Sequence, residues 1–211
     1  NVTNPSIVKI RDKRLSIMRE EMQKDPAVDL QYASSYASIA NYWKYFIGQT
    51  EQLKNLNILA QKEKEELAFQ NWVNDNNRSL KNVMLDYQKA YANYKPYAKH
   101  QMYYREAYMA PSLTKIGASF DFIYKAIEAN VSKDSLETLC KRMLKVRESL
   151  VKDVNIDLDK KLFSSLNLLF YQDVPKAQHP EIYASEVFAN YGSDNWQKTF
   201  DDYTNDVYAN T

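Results

Sequence analysis

One segment of the chain places an asparagine where it could bind a ligand. Ala33, Ala37 and Asn41 recur at i, i+4 and i+8, so a helix puts two small side chains in line with an uncharged amide. Asparagine is a poor helix former because its side chain competes for backbone hydrogen bonds, so its presence here needs a reason. Either this amide bonds a neighbouring helix, or its carbonyl oxygen accepts a hydrogen bond from the ammonium group of a ligand.

A series of tyrosines offers a second possible binding surface. They recur at helical spacing, and the series consists of Tyr87, Tyr91, Tyr94, Tyr97, Tyr104 and Tyr108. Such a stripe either packs against the protein with its hydroxyls turned to water or stacks on the rings of a sugar. The sequence leaves both interpretations open.

Motifs for catalysis are absent from the sequence. A serine nucleophile of the chymotrypsin type needs a glycine-flanked turn, and neither Gly-Asp-Ser-Gly nor Gly-x-Ser-x-Gly occurs. His100 and His179 have no acidic residue three positions before them and no zinc-type spacing to other ligands. No Gly-x-x-x-x-Gly-Lys segment is present to hold a phosphate. We therefore expect the chain alone to be inactive, with no metal and no cofactor.

Composition and charge restrict the class of protein further. The 211 residues include only 3 glycines but 17 tyrosines, and Cys140 is the single cysteine, so no intrachain disulfide can form. Lys and Arg number 28 against 27 Asp and Glu, which leaves a formal charge of +1 and disfavours nucleic acid as a partner. No run of apolar residues is long enough to predict a membrane span.

Apolar residues recur with the 3.6-residue period of a helix along nearly the whole chain. This pattern predicts an all-α fold, a single elongated bundle of about nine helices over residues 1–211. Gly48 is expected to end the helix that carries Asn41. Pro96 is expected to kink or interrupt the tyrosine-rich helix, because proline removes a hydrogen-bond donor.

Several segments carry a resemblance to a known family. The longest are residues 25–33, DPAVDLQYA, and residues 40–44, ANYWK, followed by Ile47-Gly48. Further matches are spread over most of the chain: residues 7–12 (IVKIRD), 69–72 (FQNW), 157–162 (DLDKKL), Val174-Pro175 and His179-Pro180. Together they make the chain closely resemble the dipeptidyl peptidase 7 and 11 family of bacterial serine peptidases.

The resemblance implies that this chain is one part of a larger enzyme. Members of that family resemble a chymotrypsin-type double β-barrel with an inserted all-helical domain, which caps the active-site cleft, and this chain resembles the cap. The catalytic triad would then lie in the barrels, outside these residues. The implied partners are peptides with a free N-terminus, the barrel domain of the same parent chain and a second copy of the parent in a homodimer. The implied location is the periplasm or the cell surface.

The resemblance also implies a role for three residues. In the family, the asparagine of an Asn-x-Trp-Lys helix helps to hold the N-terminal amine of the substrate, and the motif is matched here at Asn41, Trp43 and Lys44. Trp43 and Lys44 are expected to support the site, Trp43 by packing that fixes the helix. As an inserted cap, the domain should bring Asn1 and Thr211 together at one end, with Asn41 facing that end.

Two other functions stay open from the sequence. One is a non-enzymatic helical module that binds a glycan or a protein through the tyrosine stripe, and the other is a purely structural interaction domain. A glycan module would need at least two coplanar, exposed tyrosine rings.

Overall fold

The computed structural model describes residues 5–209, apart from the side chain of Leu150. Its α-helices are α1 (Pro5–Lys24), α2 (Pro26–Asn55), α3 (Ile58–Asn76), α4 (Val83–Tyr103), α5 (Ser112–Ser119), α6 (Asp121–Glu128), α7 (Lys133–Lys152), α8 (Ile156–Asp173), α9 (Ala189–Tyr191) and α10 (Trp196–Ala209). Two π-helices, here π1 and π2, span Tyr104–Tyr108 and Tyr183–Phe188, and 3-10 turns span Arg78–Leu80 and Lys176–Gln178. Nine of the α-helices have eight residues or more and residues 5–209 contain no strand, so the predicted all-α class is confirmed.

Helices α1 and α2 form an antiparallel hairpin around Asp25. The Asp25 side chain caps α2 by accepting a hydrogen bond from the backbone N–H of Ala27 at 2.8 Å, and Pro26 occupies the first helical position. Farther along, the Arg19 guanidinium donates to the Tyr36 hydroxyl at 2.7 Å. The hairpin therefore holds α2 against α1 over much of its length.

Helix α8 forms the centre of the core. It contributes more buried side chains than any other described helix, including Leu158, Leu166 and Phe170 with no exposed surface. Packed around it are α1, α10 and π1. Within residues 5–209, no helix is both long enough and apolar enough to cross a bilayer.

Both α1 and α10 run antiparallel to α8. Lys9, near the start of α1, pairs with Asp173 at the end of α8, whereas Tyr208, near the end of α10, bonds Asp159 near the start of α8. Lys9 and Tyr208 are therefore about 21 Å apart along α8, at 1.5 Å per residue. The expectation that the two chain ends meet concerns Asn1 and Thr211, which lie outside the described residues.

Helix α2 is longer than predicted. Gly48 does not end it, and the helix continues to Asn55, with the Thr50 hydroxyl donating to the Phe46 carbonyl at 2.9 Å. The left-handed residue that separates α2 from α3 is Asn57, at φ 50°. Asparagine tolerates this conformation better than most residues, so the stop signal lies nine positions after the glycine.

Pro96 does not interrupt the tyrosine-rich helix, since α4 continues through it to Tyr103. The donor that proline lacks would have bonded the carbonyl of Ala92, and both residues are exposed, so water can reach that carbonyl. Phe120 separates α5 from α6.

Stability should depend on pH through Asp173. Burial pushes the pKa of this carboxyl group up, but hydrogen bonds from Lys9 and the Tyr103 hydroxyl outweigh it and hold the pKa below its ordinary value of 3.8. A lowered folded-state pKa stabilises the protein above pH 3.8, and this contribution is lost as the pH falls through the lowered pKa.

We therefore expect Asp173→Asn to reduce the loss of stability between about pH 5 and pH 2, measured by urea unfolding at a series of pH values. The exposed Asp12 serves as the control, because its carboxylate has no hydrogen bond or ion pair within residues 5–209, and Asp12→Asn should leave the pH profile unchanged. Identical profiles for Asp173→Asn and the unmodified chain would contradict this assignment.

Candidate functional site

Asn41 lies on the outer face of α2, away from α1. Its side chain is exposed, and its carboxamide has no hydrogen-bond partner among residues 5–209. The structure therefore gives no support to the interpretation in which this amide bonds a neighbouring helix. The carbonyl oxygen can accept a hydrogen bond from a ligand and the NH2 group can donate.

The side chains that precede Asn41 on this face are small and exposed. They are Ala33, Ser34, Ala37 and Ser38. Because none of them extends far from the helix, a ligand could approach the backbone of α2 and reach the amide of Asn41 from one side.

Trp43 and Lys44 differ from each other in burial, and Trp43 lies on a different face of α2 from Asn41. Trp43 is partly buried and packs against the core cluster, and its indole N–H is buried with no hydrogen-bond partner in the described part of the chain. Lys44 is exposed. Trp43 is about 200° around the helix from Asn41, so it anchors α2 on the side opposite the amide.

Arg11 connects α2 to the rest of the bundle. Its guanidinium lies 5.4 Å from the ring centre of Tyr42 and 5.7 Å from that of Phe46, one on each side of Trp43 in the sequence. The same group donates two hydrogen bonds of 3.3 Å to the carboxylate of Glu106 on π1. The turn of α2 after Asn41 is therefore held by cation–π and ionic contacts at once.

Glu106 balances the charge of two arginines in this region. Its carboxylate lies 3.2 Å from Arg11 and 3.8 Å from Arg14, and the three side chains are only 12–18% exposed. Burial lowers the pKa of Arg14, the carboxylate of Glu106 opposes this and the charge of Arg11 adds to it. Sequence reasoning missed this cluster, although Arg11 follows Ile7 by one helical turn on the apolar face of α1, which was a usable signal.

Both histidines lie against aromatic rings of the same chain. The ring of His100 lies 6.0 Å from that of Tyr104 and 5.7 Å from that of Phe170. His179 Nε2 lies 2.8 Å from the backbone carbonyl of Val174, and its ring is 4.8 Å from that of Tyr171. No group of three or more His, Cys, Asp or Glu side chains in residues 5–209 is arranged to hold a metal ion.

The tyrosine series divides into two groups. Tyr104 and Tyr108 lie in π1, and Tyr108 packs against Phe170 in the core. The four tyrosines that come first in the series lie on α4 and are exposed: Tyr87, Tyr91, Tyr94 and Tyr97. The rings of Tyr87 and Tyr91 are within 24° of parallel at a centroid distance of 6.4 Å. Sequence spacing alone could not separate the two groups, because the tyrosines of both follow one another at intervals of three, four or seven residues.

Comparison with known proteins agrees with the segments that carry the resemblance. The family model of peptidase S46 matches residues 1–211. The chain is 32% identical over 181 residues to an Asp/Glu-specific dipeptidyl-peptidase of Flavobacterium psychrophilum, an alignment of 83% of this chain and 25% of that protein. It is 27% identical over 196 residues to dipeptidyl-peptidase 7 of Porphyromonas gingivalis, which covers 92% of this chain and 26% of that protein.

These relatives are much longer than the chain, which spans about a quarter of their length. Both relatives are dipeptidyl-peptidases by name, and the similarity extends over most of the chain in both cases. Because the match to the family model spans residues 1–211, the similarity does not rest on one short motif. The chain belongs to the peptidase S46 family.

Proposed function

We propose that this chain is the helical cap of a serine dipeptidyl peptidase, and that Asn41 helps to hold the N-terminal ammonium group of the peptide substrate. The catalytic residues of the parent enzyme lie outside the chain, in the barrel domain that the cap covers. The proposal includes a homodimeric parent enzyme in the periplasm or at the cell surface, which removes dipeptides from free N-termini.

The observation that carries the proposal is the free carboxamide of Asn41 on a helix whose opposite side is anchored. Trp43 packs against the core and Arg11 contacts Tyr42 and Phe46, so the backbone around Asn41 is supported from the inner side. The amide itself is exposed and has no hydrogen-bond partner among residues 5–209. A polar group held in place without a partner is suited to bind an external ligand.

The charges near Asn41 are compatible with a cationic ligand. An unpaired guanidinium one turn away would repel an ammonium group, but Arg11 is paired with Glu106. The amide carbonyl is uncharged, so in a hydrogen bond to an ammonium group the ligand alone would carry the charge that strengthens the bond.

The cap would contribute to the reaction by positioning. If the ammonium group is held at a fixed distance from the nucleophile of the parent enzyme, only the peptide bond after the second residue reaches the point of attack. The cap would also limit the space for a longer N-terminal extension. No proton or acyl group is transferred by the residues of this chain in the proposal.

The geometry of the described ends sets a condition on how such a cap joins a host domain. Lys9 and Tyr208 lie at opposite ends of α8. Lys9 is four residues after Pro5, where α1 begins, and Tyr208 is next to Ala209, where α10 ends. A host domain would therefore receive the cap at two separated points, about 20 Å apart, unless the flanking residues cross that distance.

Asn41→Ala in the full-length enzyme should lower kcat/KM for a dipeptidyl substrate by about 10- to 100-fold, which corresponds to the loss of one hydrogen bond to a charged group, about 1.5–3 kcal/mol. The matched control is Asn205→Ala, another exposed asparagine without a partner in residues 5–209, on α10. This control should leave kcat/KM within about twofold. Equal values of kcat/KM for Asn41→Ala and the unmodified enzyme would refute the proposed role.

A further inference from the structure

Helix α4 carries an aromatic face that nothing in residues 5–209 covers. At 3.6 residues per turn, Tyr87, Tyr91 and Tyr94 fall within about 60° of one another around the helix. Their exposed fractions are 61%, 56% and 56%, and every side chain from residue 85 to residue 97 is exposed. These three residues are called the tyrosine face below.

The tyrosine face continues a helix face that is buried farther along α4. Ala98 and Met102 follow Tyr94 at steps of four residues, so they lie on the same side of the helix. Ala98 is half-buried and Met102 packs against the core cluster. The core therefore covers this side of α4 at the C-terminal end of the helix. In the first part of α4, the same side carries aromatic residues that no described residue covers.

This first part of α4 extends away from the core. Helix α4 runs in the same direction as α1. At the end of α4, the Tyr103 hydroxyl donates to the Asp173 carboxylate, which also pairs with Lys9 of α1. Farther along the chain in both segments, Glu106 accepts from Arg11, so the two segments advance together. Residues 85–97 therefore lie about 9 to 27 Å beyond the level of Lys9. An isolated helix of this length is only marginally stable in water, and Pro96 removes one of its hydrogen bonds.

We propose that the tyrosine face docks onto the part of the full-length peptidase that lies outside this chain. The inference rests on the proposed function, and it names the surface through which the cap contacts its host. The chain aligns with about a quarter of the length of its relatives, so most of the surface available to a cap belongs to the rest of the protein. Tyrosine buries a large ring and keeps a hydroxyl for the rim of a contact, which is why it is enriched in protein interfaces.

The charges on α4 indicate the chemistry of the docking surface. The helix carries three lysines and one aspartate: Lys89, Lys95, Lys99 and Asp86. The complementary surface would have an apolar centre for the rings and acidic groups at its edge.

Hydrogen exchange of the full-length peptidase, followed by mass spectrometry of the peptide that covers residues 85–97, tests this docking. The unmodified enzyme should show slow exchange there, at the same rate over a 100-fold range of protein concentration. Tyr91→Asp should raise the exchange rate of this peptide at least tenfold. Asn93→Asp places the same charge on the same helix outside the tyrosine face and should leave the rate unchanged. Slow exchange in α8 confirms that each variant is folded.

Three results would overturn the docking. Fast exchange of residues 85–97 in the unmodified enzyme would show that the face is uncovered. Protection that disappears on dilution would assign the face to a second copy of the chain. Protection that appears only when an oligosaccharide is added would assign it to a sugar, which the near-parallel rings of Tyr87 and Tyr91 could stack on. The Asn41→Ala kinetics are independent of these rates, so failure of the docking and failure of the proposed function give different patterns.

Discussion

Replacing Glu106 by glutamine should lower the free energy of unfolding of the 211-residue chain by about 3–5 kcal/mol. The substitution keeps the shape of the side chain but removes the negative charge that Arg11 and Arg14 share. Both guanidinium groups are largely buried, and the Nε atom of Arg14 already has no hydrogen-bond partner among the described residues. Two part-buried cations would then face each other without a counter-charge, which is the costly way to break a buried ion pair.

Urea unfolding of the purified chain measures this effect, with the change expected in the midpoint and not in the slope. Glu65→Gln is the matched control, since it breaks the pair with Lys62, in which both side chains are 63% exposed. The control should change stability by less than about 1 kcal/mol. A loss for Glu106→Gln no larger than that of the control would show that the cluster is not a stabilising junction.

Asp159→Ala should cost at least about 3 kcal/mol of stability, because one buried carboxylate serves three donors. It accepts from the backbone N–H of Ser112 at 2.7 Å and of Leu113 at 3.0 Å, which begin α5, and from the Tyr208 hydroxyl at 2.6 Å. Removing it leaves these donors without their acceptor and disconnects α5 and α10 from α8. Each unpaired buried donor costs about 1–3 kcal/mol, and the three losses are not strictly additive.

The control for this variant is Asp157→Ala, two residues earlier on α8. Asp157 is exposed in the first turn of the helix, where a negative charge contributes at most about 1 kcal/mol through the helix dipole. Urea unfolding of the two variants under the same conditions compares a buried carboxylate with an exposed one on the same helix. Equal losses in the two variants would contradict the role given to Asp159.

The helical period of the apolar residues predicted the fold class, and local capping explains where two of the helices begin. Asp25-Pro26 begins α2 and Ser132 caps α7, because a side-chain acceptor before the first turn satisfies backbone donors that the helix itself cannot. The all-α class follows from the same local physics. The predicted boundary at Gly48 was wrong and Pro96 does not interrupt α4, because a glycine or a proline in an exposed part of a helix weakens it without ending it.

The contacts around the candidate site could not be predicted in the same way. Nothing in the spacing of Arg11 and Glu106 along the sequence, 95 residues apart, indicates that they meet. Likewise, Tyr91 and Tyr108 belong to one series with helical spacing in the sequence, but one is exposed and the other packs against Phe170. These contacts depend on which helices are neighbours, and local sequence does not determine that.

We propose that Asn41 binds the N-terminal ammonium group of a peptide. The most direct measurement is kcat/KM of the full-length enzyme and of Asn41→Ala on two substrates, one with a free N-terminal amine and one with hydrogen in its place. We expect Asn41→Ala to lower kcat/KM by about 10- to 100-fold on the first substrate and to change it less than about twofold on the second, because the partner of the amide is then absent. An equal loss on both substrates would show that Asn41 acts on something other than the ammonium group, and would contradict the account.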